Sequence, residues 1–359
     1  MFRECCATLP IIGGFTKTKP MTLIRSVPTL ILLLMLPPDK LIVGLTVDPR
    51  ISSPARSVNG LEFNFNKPQA RTPRKQPATH PAPTGALKVI TGQAGSVVFI
   101  NNVRHGVTND KGELDLPRIR VGSYPVRVRT VGYSDFHGRV VVASGSRELK
   151  VTQQTTTDQA TLHYQKGDEL RDKGKNKDAV QEYEQALTAW QNFPEAHIGA
   201  SRSYITLQDF QGAEKHIHSA LKSGGATLAE AQTVLANLRR SQGLVEESIV
   251  EYKKALRLAR GNSFEAHIGL AIALNELNES RNDRRLIDEI AKEYRIGITQ
   301  DMETEPILYY QLAEILEKAN RNREAVEAYR NYLRLDPEGE YASAAESIIE
   351  RLKEELTSR

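Results

Sequence analysis

The chain has 359 residues, 40% hydrophobic and 26% charged, which is ordinary for globular domains and leaves room for two or three of them. Its two cysteines, Cys5 and Cys6, are adjacent and stand ahead of everything that looks folded, which excludes a disulfide framework and a thiolate metal site from the folded part. The net charge of +4 hides a split, since residues 1–152 sum to +12 and residues 153–359 to −8. The plain reading of that split is a basic leader and linker beside a solvated acidic scaffold. Binding of an anionic polymer by the basic half is the second reading.

The first element is MTLIRSVPTLILLLML, which starts at Met21. Arg25 precedes an apolar run, Pro28–Leu36, and a second apolar stretch, Leu41–Val47, follows PPDK. The run has the shape of a secretory signal and is shorter than the roughly 20 residues that span a bilayer. No small-x-small cleavage site stands close behind it, and no cysteine follows to make a lipobox. Residues 1–47 are therefore expected to be a leader, signal or anchor segment, with Met21 an alternative start. The expected location is exported, periplasmic or cell-envelope associated, and residues 22–47 offer a route to membrane association.

Residues 48–85 are rich in Pro, Arg, Ser and Thr, and PRKQPATHPAPTG (73–85) reads as an extended spacer. Arg71, Arg74 and Lys75 could touch an anionic cell-wall polymer. Nucleic-acid binding is not expected, because no aromatic residues are interleaved to stack on bases.

The texture changes over residues 86–152. LKVI, SVVFI, ELDL, YPVRVRT and GRVVVAS are short β-branched runs separated by Gly, Asn and Asp. In YPVRVRT the alternation puts Tyr124, Val126 and Val128 on one face, with Arg127 and Arg129 on the other. This predicts a small antiparallel β-sandwich of six or seven strands. The stretch 95–133, with Gly106, Gly122–Tyr124 and Gly132–Tyr133, resembles the PEGA domain and the carboxypeptidase regulatory-like fold. That resemblance implies a non-catalytic, mostly extracytoplasmic module.

From Ala160 the sequence repeats, with units beginning at Ala160, Pro194, Ala229, Phe264 and Pro306. The spacings between them are 34, 35, 35 and 42 residues. Such a period predicts a helical solenoid whose units bury their apolar faces only against neighbours. Small and aromatic residues recur at fixed offsets, as in Gly167, Ala179, Tyr183 and Ala186, or Ala236, Tyr252 and Ala255, or Ala313, Ala325 and Tyr329. GKNKDAVQEYEQAL (174–187) and NRNREAVEAYRNYLRLDP (320–337) carry the pattern most fully. They resemble the tetratricopeptide repeat. The fourth unit begins like the second, EAHIGLAIALNEL (265–277) against EAHIGASRSYITL (195–207), and then departs. Its second helix is expected near Asp283–Tyr294, followed by a loop through Gly297–Thr304 that would be the place for a functional insertion. Residues 340–357 read as the capping helix of a solenoid spanning 157–358.

The resemblance implies that the first helix of each unit lines a concave groove. Carried over position by position, the groove residues are Tyr164, Asp168 and Arg171; Ile198, Arg202 and Ile205; Thr233, Asn237 and Arg240; Ile268, Ile272 and Asn275; and Tyr310, Glu314 and Glu317. That mixture suits an extended peptide or a helix of a protein partner. A Lys–Asn clamp on a C-terminal carboxylate is not expected, since only Asn237 fits it.

Other chemistry finds little support. Asp110, Glu113 and Asp115 lack the ligand count of a calcium loop. His216 and His218 are two apart on a helix and face different ways, so no metal site is expected there. His197 and His267, at equivalent positions of two units, read as packing residues. No phosphate loop or nucleophile–base set is present, so no catalytic residue, metal or cofactor is expected. The chain reads as multidomain, a β-sandwich followed by an all-α solenoid. Its expected role is a non-catalytic interaction scaffold or adaptor for a protein or peptide in the cell envelope. The alternatives are an accessory subunit of an envelope hydrolase and a binder of anionic envelope polymers.

Overall fold

The computed structural model describes residues 83–281, 283–301 and 305–358. The leader expected over 1–47, and the linker up to residue 82, lie outside the described residues. The end of that linker is already strand.

Seven strands come first: β1 (Thr84–Ile90), β2 (Val97–Ile100), β3 (Val103–Val107), β4 (Glu113–Arg120), β5 (Gly122–Arg129), β6 (Phe136–Val142) and β7 (Gly145–Lys150). They form two sheets, ordered β4-β1-β7 and β3-β2-β5-β6. Alternate residues point between the sheets, so Leu87, Val89, Val98, Ile100, Val126, Val128, Val140 and Val142 are buried together. Each such side chain contributes about 1.5–3 kcal/mol by leaving water. Every pairing is antiparallel except β1–β7, a parallel pair the sequence did not announce. After β6 the chain changes sheet through a short connection that crosses tightly over β1. A Cβ on Gly85 would strike the Ala143 carbonyl, so only glycine fits beneath the crossing.

The helices then run in hairpins. The first three units are α1 (Gln159–Asp172) with α2 (Asn176–Ala189), α3 (Pro194–Thr206) with α4 (Phe210–Ser223), and α5 (Leu228–Ser241) with α6 (Val245–Leu258). The last two are α7 (Phe264–Arg281) with α8 (Arg284–Asp301), and α9 (Ile307–Lys318) with α10 (Asn322–Leu335), closed by α11 (Ala342–Thr357). A 3-10 turn, Gly225–Thr227, leads into α5. The repeated small residues sit where helices cross. Gly167 and Gly199 both lie against the Tyr183 ring, and Gly269 lies against that of Tyr252. Tyr183, Tyr252 and Tyr329 are fully buried at the same place in three units. The first helices of units one to four pack directly on one another. Their exposed faces therefore converge.

The fourth unit corrects the sequence reading. The loop expected through Gly297–Thr304 is helical as far as Asp301, and the second helix continues well past Tyr294. Both helices of this unit have 18 residues, whereas those of the first three units have 13 or 14. The extra length is helix at the hairpin tip, where Glu279, Ser280, Arg281, Asp283, Arg284 and Arg285 are exposed. Below the tip the usual register returns: Ile290, Ala291, Tyr294 and Ile298 are buried in the common core. Gly297 lies against Ile268, as the small residue of an ordinary unit would.

Candidate protein-binding groove

The converging faces meet in a polar network built across three units. Arg202 on α3 donates to both oxygens of Glu265 on α7, at 2.6 and 2.7 Å, and to Glu230 on α5 at 3.3 Å. Asn237 on α5 lies between them. Its amide donates to Glu265 at 2.8 Å and its carbonyl accepts from the Tyr252 hydroxyl at 2.5 Å. One turn on, Arg240 donates to Glu276 at 2.9 Å, while its Nε is buried with no hydrogen-bond partner among the described residues. The network is walled by protein yet still reached by water, with side-chain exposures of 25% for Arg202 and 38% for Glu265. Burial alone would raise the Glu265 carboxyl. The Arg202 guanidinium and the Asn237 amide reverse that and hold it below its usual range. Burial likewise pushes the Tyr252 hydroxyl up to about 12, so it stays a donor.

Around this centre the expected groove residues divide. Arg171 bonds Asp168 at 2.8 Å and the Tyr183 hydroxyl at 3.1 Å. Ile205, Ile268 and Ile272 are half-buried along the same faces, and Asn275 is half-buried beside them. Glu314 is exposed along one side, and the protein that partly covers its carboxyl raises it above its usual range. Glu317 accepts from Tyr329 at 3.1 Å and from Arg351 of the cap at 2.5 Å. The groove thus passes from arginines in its first three units to carboxylates in its last.

Four of the expected residues, and Tyr310 besides, are drawn inward. Ile198 and Thr233 are buried, and the Thr233 hydroxyl donates to the Ala229 carbonyl. Tyr164 and Asp168 are covered by the β-sandwich. Arg129 of β5 is only 7% exposed; it pairs with Asp168 and Asp135, and its Nη2 donates to the Tyr164 hydroxyl at 2.6 Å. Gln165 seals the junction by donating to the Tyr133 carbonyl and accepting from the Gly132 amide. Tyr310 is buried within 5.5 Å of the rings of Tyr329, Tyr332 and Tyr341. Sequence reasoning missed Glu230, Glu265 and Glu276. The one available signal was a row of carboxylates on first helices opposite a row of arginines.

Among the described residues no cluster of His, Cys, Asp or Glu could hold a metal ion, and no helix is long and apolar enough to cross a membrane. Residues 84–157 match the PEGA domain, and residues 170–238 and 307–338 match tetratricopeptide repeats. The chain therefore carries a PEGA domain followed by tetratricopeptide repeats. No curated protein matches it. Solved structures with a similar helical fold include YrrB, a TPR protein with an unusual peptide-binding site. It is 16% identical, covering 54% of this chain and 94% of its own, with a TM-score of 0.38. TTC0263, a thermophilic TPR protein of Thermus thermophilus, is 20% identical over 53% of this chain and 98% of its own, with a TM-score of 0.40. MamA from Desulfovibrio magneticus is 14% identical over 51% and 98%, with a TM-score of 0.40.

Proposed function

We propose that this chain is a non-catalytic adaptor that holds a peptide or protein segment in the groove centred on Arg202, Asn237 and Arg240. Tetratricopeptide repeats are interaction scaffolds, and proteins that carry them commonly bind peptides or proteins. The observation that carries the reading is the water-reached network on Arg202. A ligand carboxylate can compete with Glu265 for the guanidinium, with the displaced Glu265, 38% exposed, left to water and the Asn237 amide. The amide of Asn237, which shares Glu265 with Arg202, can turn to hold an extended backbone. The basic-to-acidic run gives the occupant a direction, with its negative end toward α1. The β-sandwich covers the open side of α1.

Screening the full chain against a peptide array, then measuring the hits by calorimetry, tests this. The substitutions Arg202→Ala, Asn237→Ala and Arg240→Ala together should weaken binding at least tenfold while the helical circular dichroism stays intact. Unchanged affinity in the folded triple variant sinks the proposal. The swap Arg202→Glu with Glu265→Arg keeps a paired network and should shift preference toward basic peptides. Export is the second part of the reading, supported by the leader-like run Pro28–Leu36. A mature N-terminus beyond Leu36 on protein recovered outside the cytoplasm would support it, and an intact cytoplasmic chain would overturn it.

A further inference from the structure

In four units the fourth residue of the unit, on its first helix, meets a residue of the second helix. His163 Nδ1 lies 2.7 Å from Glu182, Gln232 donates to Glu251, and His267 Nδ1 lies 2.5 Å from Glu293. The second-helix partner is a carboxylate in each. Only the second unit departs among these four: His197 Nδ1 lies 3.0 Å from Nδ1 of His216, which is 2% exposed. A carboxylate has been replaced by a group that is neutral or positive.

The hydrogen bonds of this pair leave it one proton short. His197 Nε2 lies 3.0 Å from the Gln191 carbonyl, which can only accept. His216 Nε2 lies 3.0 Å from the Glu184 carboxylate of α2. Each contact needs a ring N–H, and the bond between the two rings needs a third. Two neutral imidazoles carry two protons. All three bonds form only when the pair bears one positive charge. Burial opposes that charge and lowers both rings, against the pull of Glu184.

The same pair forms a wall of a cavity of about 650 Å³ between α2 and α4. Lys215 and Lys222, two helical turns apart on α4, stand at its rim with Thr188, Ser219 and Ser223. Neither lysine is joined to a carboxylate among the described residues. Glu184, the carboxylate in the wall, is occupied by His216. The ring of Tyr204 stacks on His216 at 5.5 Å from α3. On the α5 side of α4, Glu214 is held by Arg239 at 2.6 Å and by His218 at 3.4 Å. The charged groups around the cavity thus sum to a net positive patch, larger by one when the histidine pair is protonated.

We propose that the cavity between α2 and α4 binds a tetrahedral oxyanion, the phosphate or sulfate group of a small molecule, together with a proton on the His197–His216 pair. The lysines supply charge at the mouth. The protonated histidine pair supplies it at the wall as charge alone, since its N–H groups are taken by Gln191, by Glu184 and by the bond between the rings, and the anion offsets the cost of burying that charge. This site is separate from the groove and does not depend on what the groove holds.

Calorimetry on the full chain with sodium sulfate tests it, since sulfate remains a dianion from pH 5.5 to 7.5 and any pH effect belongs to the protein. Sulfate should bind about tenfold more tightly at pH 5.5 than at pH 7.5, with proton uptake, and should shift the ring resonances of His197 and His216. Glycerol phosphate at pH 7.5, where its charge matches that of sulfate, separates the sources. Tighter binding than sulfate means the organic body occupies the cavity, and equal binding means the oxyanion alone is recognised. His216→Glu, which restores the pattern of the other units, should abolish both binding and its pH dependence. Lys215→Ala with Lys222→Ala, on exposed positions that leave the fold untouched, should weaken sulfate about tenfold. Binding that is the same at both pH values, or that survives the double lysine variant, overturns the proposal.

Discussion

Arg129 shows how far one side chain can reverse the meaning of a pattern. In YPVRVRT it falls on the polar face, which by alternation should meet water. Instead α1 lies over that face, and the guanidinium is shared by Asp168, Asp135 and Tyr164. Burial disfavours its charge, and the hydroxyl and carboxylate partners more than restore it. Truncation would leave Asp168 buried with Arg171 and Tyr183 as remaining partners. We expect Arg129→Ala to cost about 3 kcal/mol in urea denaturation, toward the low end for breaking a buried pair. Arg129→Met with Asp168→Leu should recover more than half of that loss, and a single variant costing under about 1 kcal/mol would show the pair to be dispensable. His197 and His216 set a second expectation. Their folded affinities for protons are lowered, so the unfolded chain binds more protons in acid. The stability they contribute is complete above the ordinary histidine range, near pH 6.5, and is lost as pH falls toward their depressed values. A melting temperature that drops between about pH 6.5 and 5, and drops less in His216→Glu, would verify it. The alternation of YPVRVRT was legible in the sequence, but the identity of what covers its polar face was not. That depends on residues 35 to 39 positions away on another element.

At the level of elements, the fourth unit is an ordinary repeat carrying seven extra residues. Its 42-residue spacing suggests a loop after the second helix only when the surplus is counted from the start of the unit. Alignment on the tyrosine places Tyr294 with Tyr183, Tyr252 and Tyr329, and His267–Glu293 with the corresponding pairs. The surplus then falls at the tip, within 279–285. Joining Asn278 to Leu286 would place Asn-Leu-Ile-Asp where the third unit has Gly243-Leu244-Val245-Glu246. Gly243 adopts a φ of 78° there, a left-handed turn that asparagine tolerates well. Deleting 279–285 should therefore leave the melting temperature within a few degrees of the parent; unfolding of unit four would refute the alignment. Close helix crossings behave differently. A Cβ on Gly199 would stand 2.5 Å from the Tyr183 ring, which is fixed from the other side by Gly167. Gly199→Ala should destabilise by about 1–3 kcal/mol by overpacking, although alanine favours helix at an open position. The small-residue positions were legible because every crossing needs them. The helical nature of the insertion was obscured by its polar composition, which solvent-exposed helix tips share with loops.

Over the whole molecule, stability should be distributed along the repeat. Units touch mainly their neighbours, so a defect at the β-sandwich junction should be felt locally. In Arg129→Ala, amide exchange should accelerate in α1 and α2 while α9, α10 and α11 keep their protection. Uniform acceleration would mean that the chain opens as one cooperative block. The groove reflects the same architecture from the other direction. Arg202 and Glu265 are 63 residues apart and still meet, because the intervening unit turns the first helices toward one another. No single repeat contains this site.

By itself the sequence determined the two kinds of folded region, the strand faces, the repeat starts and the small residues at each crossing. These follow from local periodicity and from packing rules that recur in every unit. Only the tertiary structure decided that Tyr164 and Asp168 belong to a domain junction, that Glu230, Glu265 and Glu276 complete the arginine groove, and that two histidines replace a histidine–carboxylate pair beside a cavity. Each of those facts depends on which distant charges share a low-dielectric space, and superhelical geometry sets that rather than the spacing of residues along the chain.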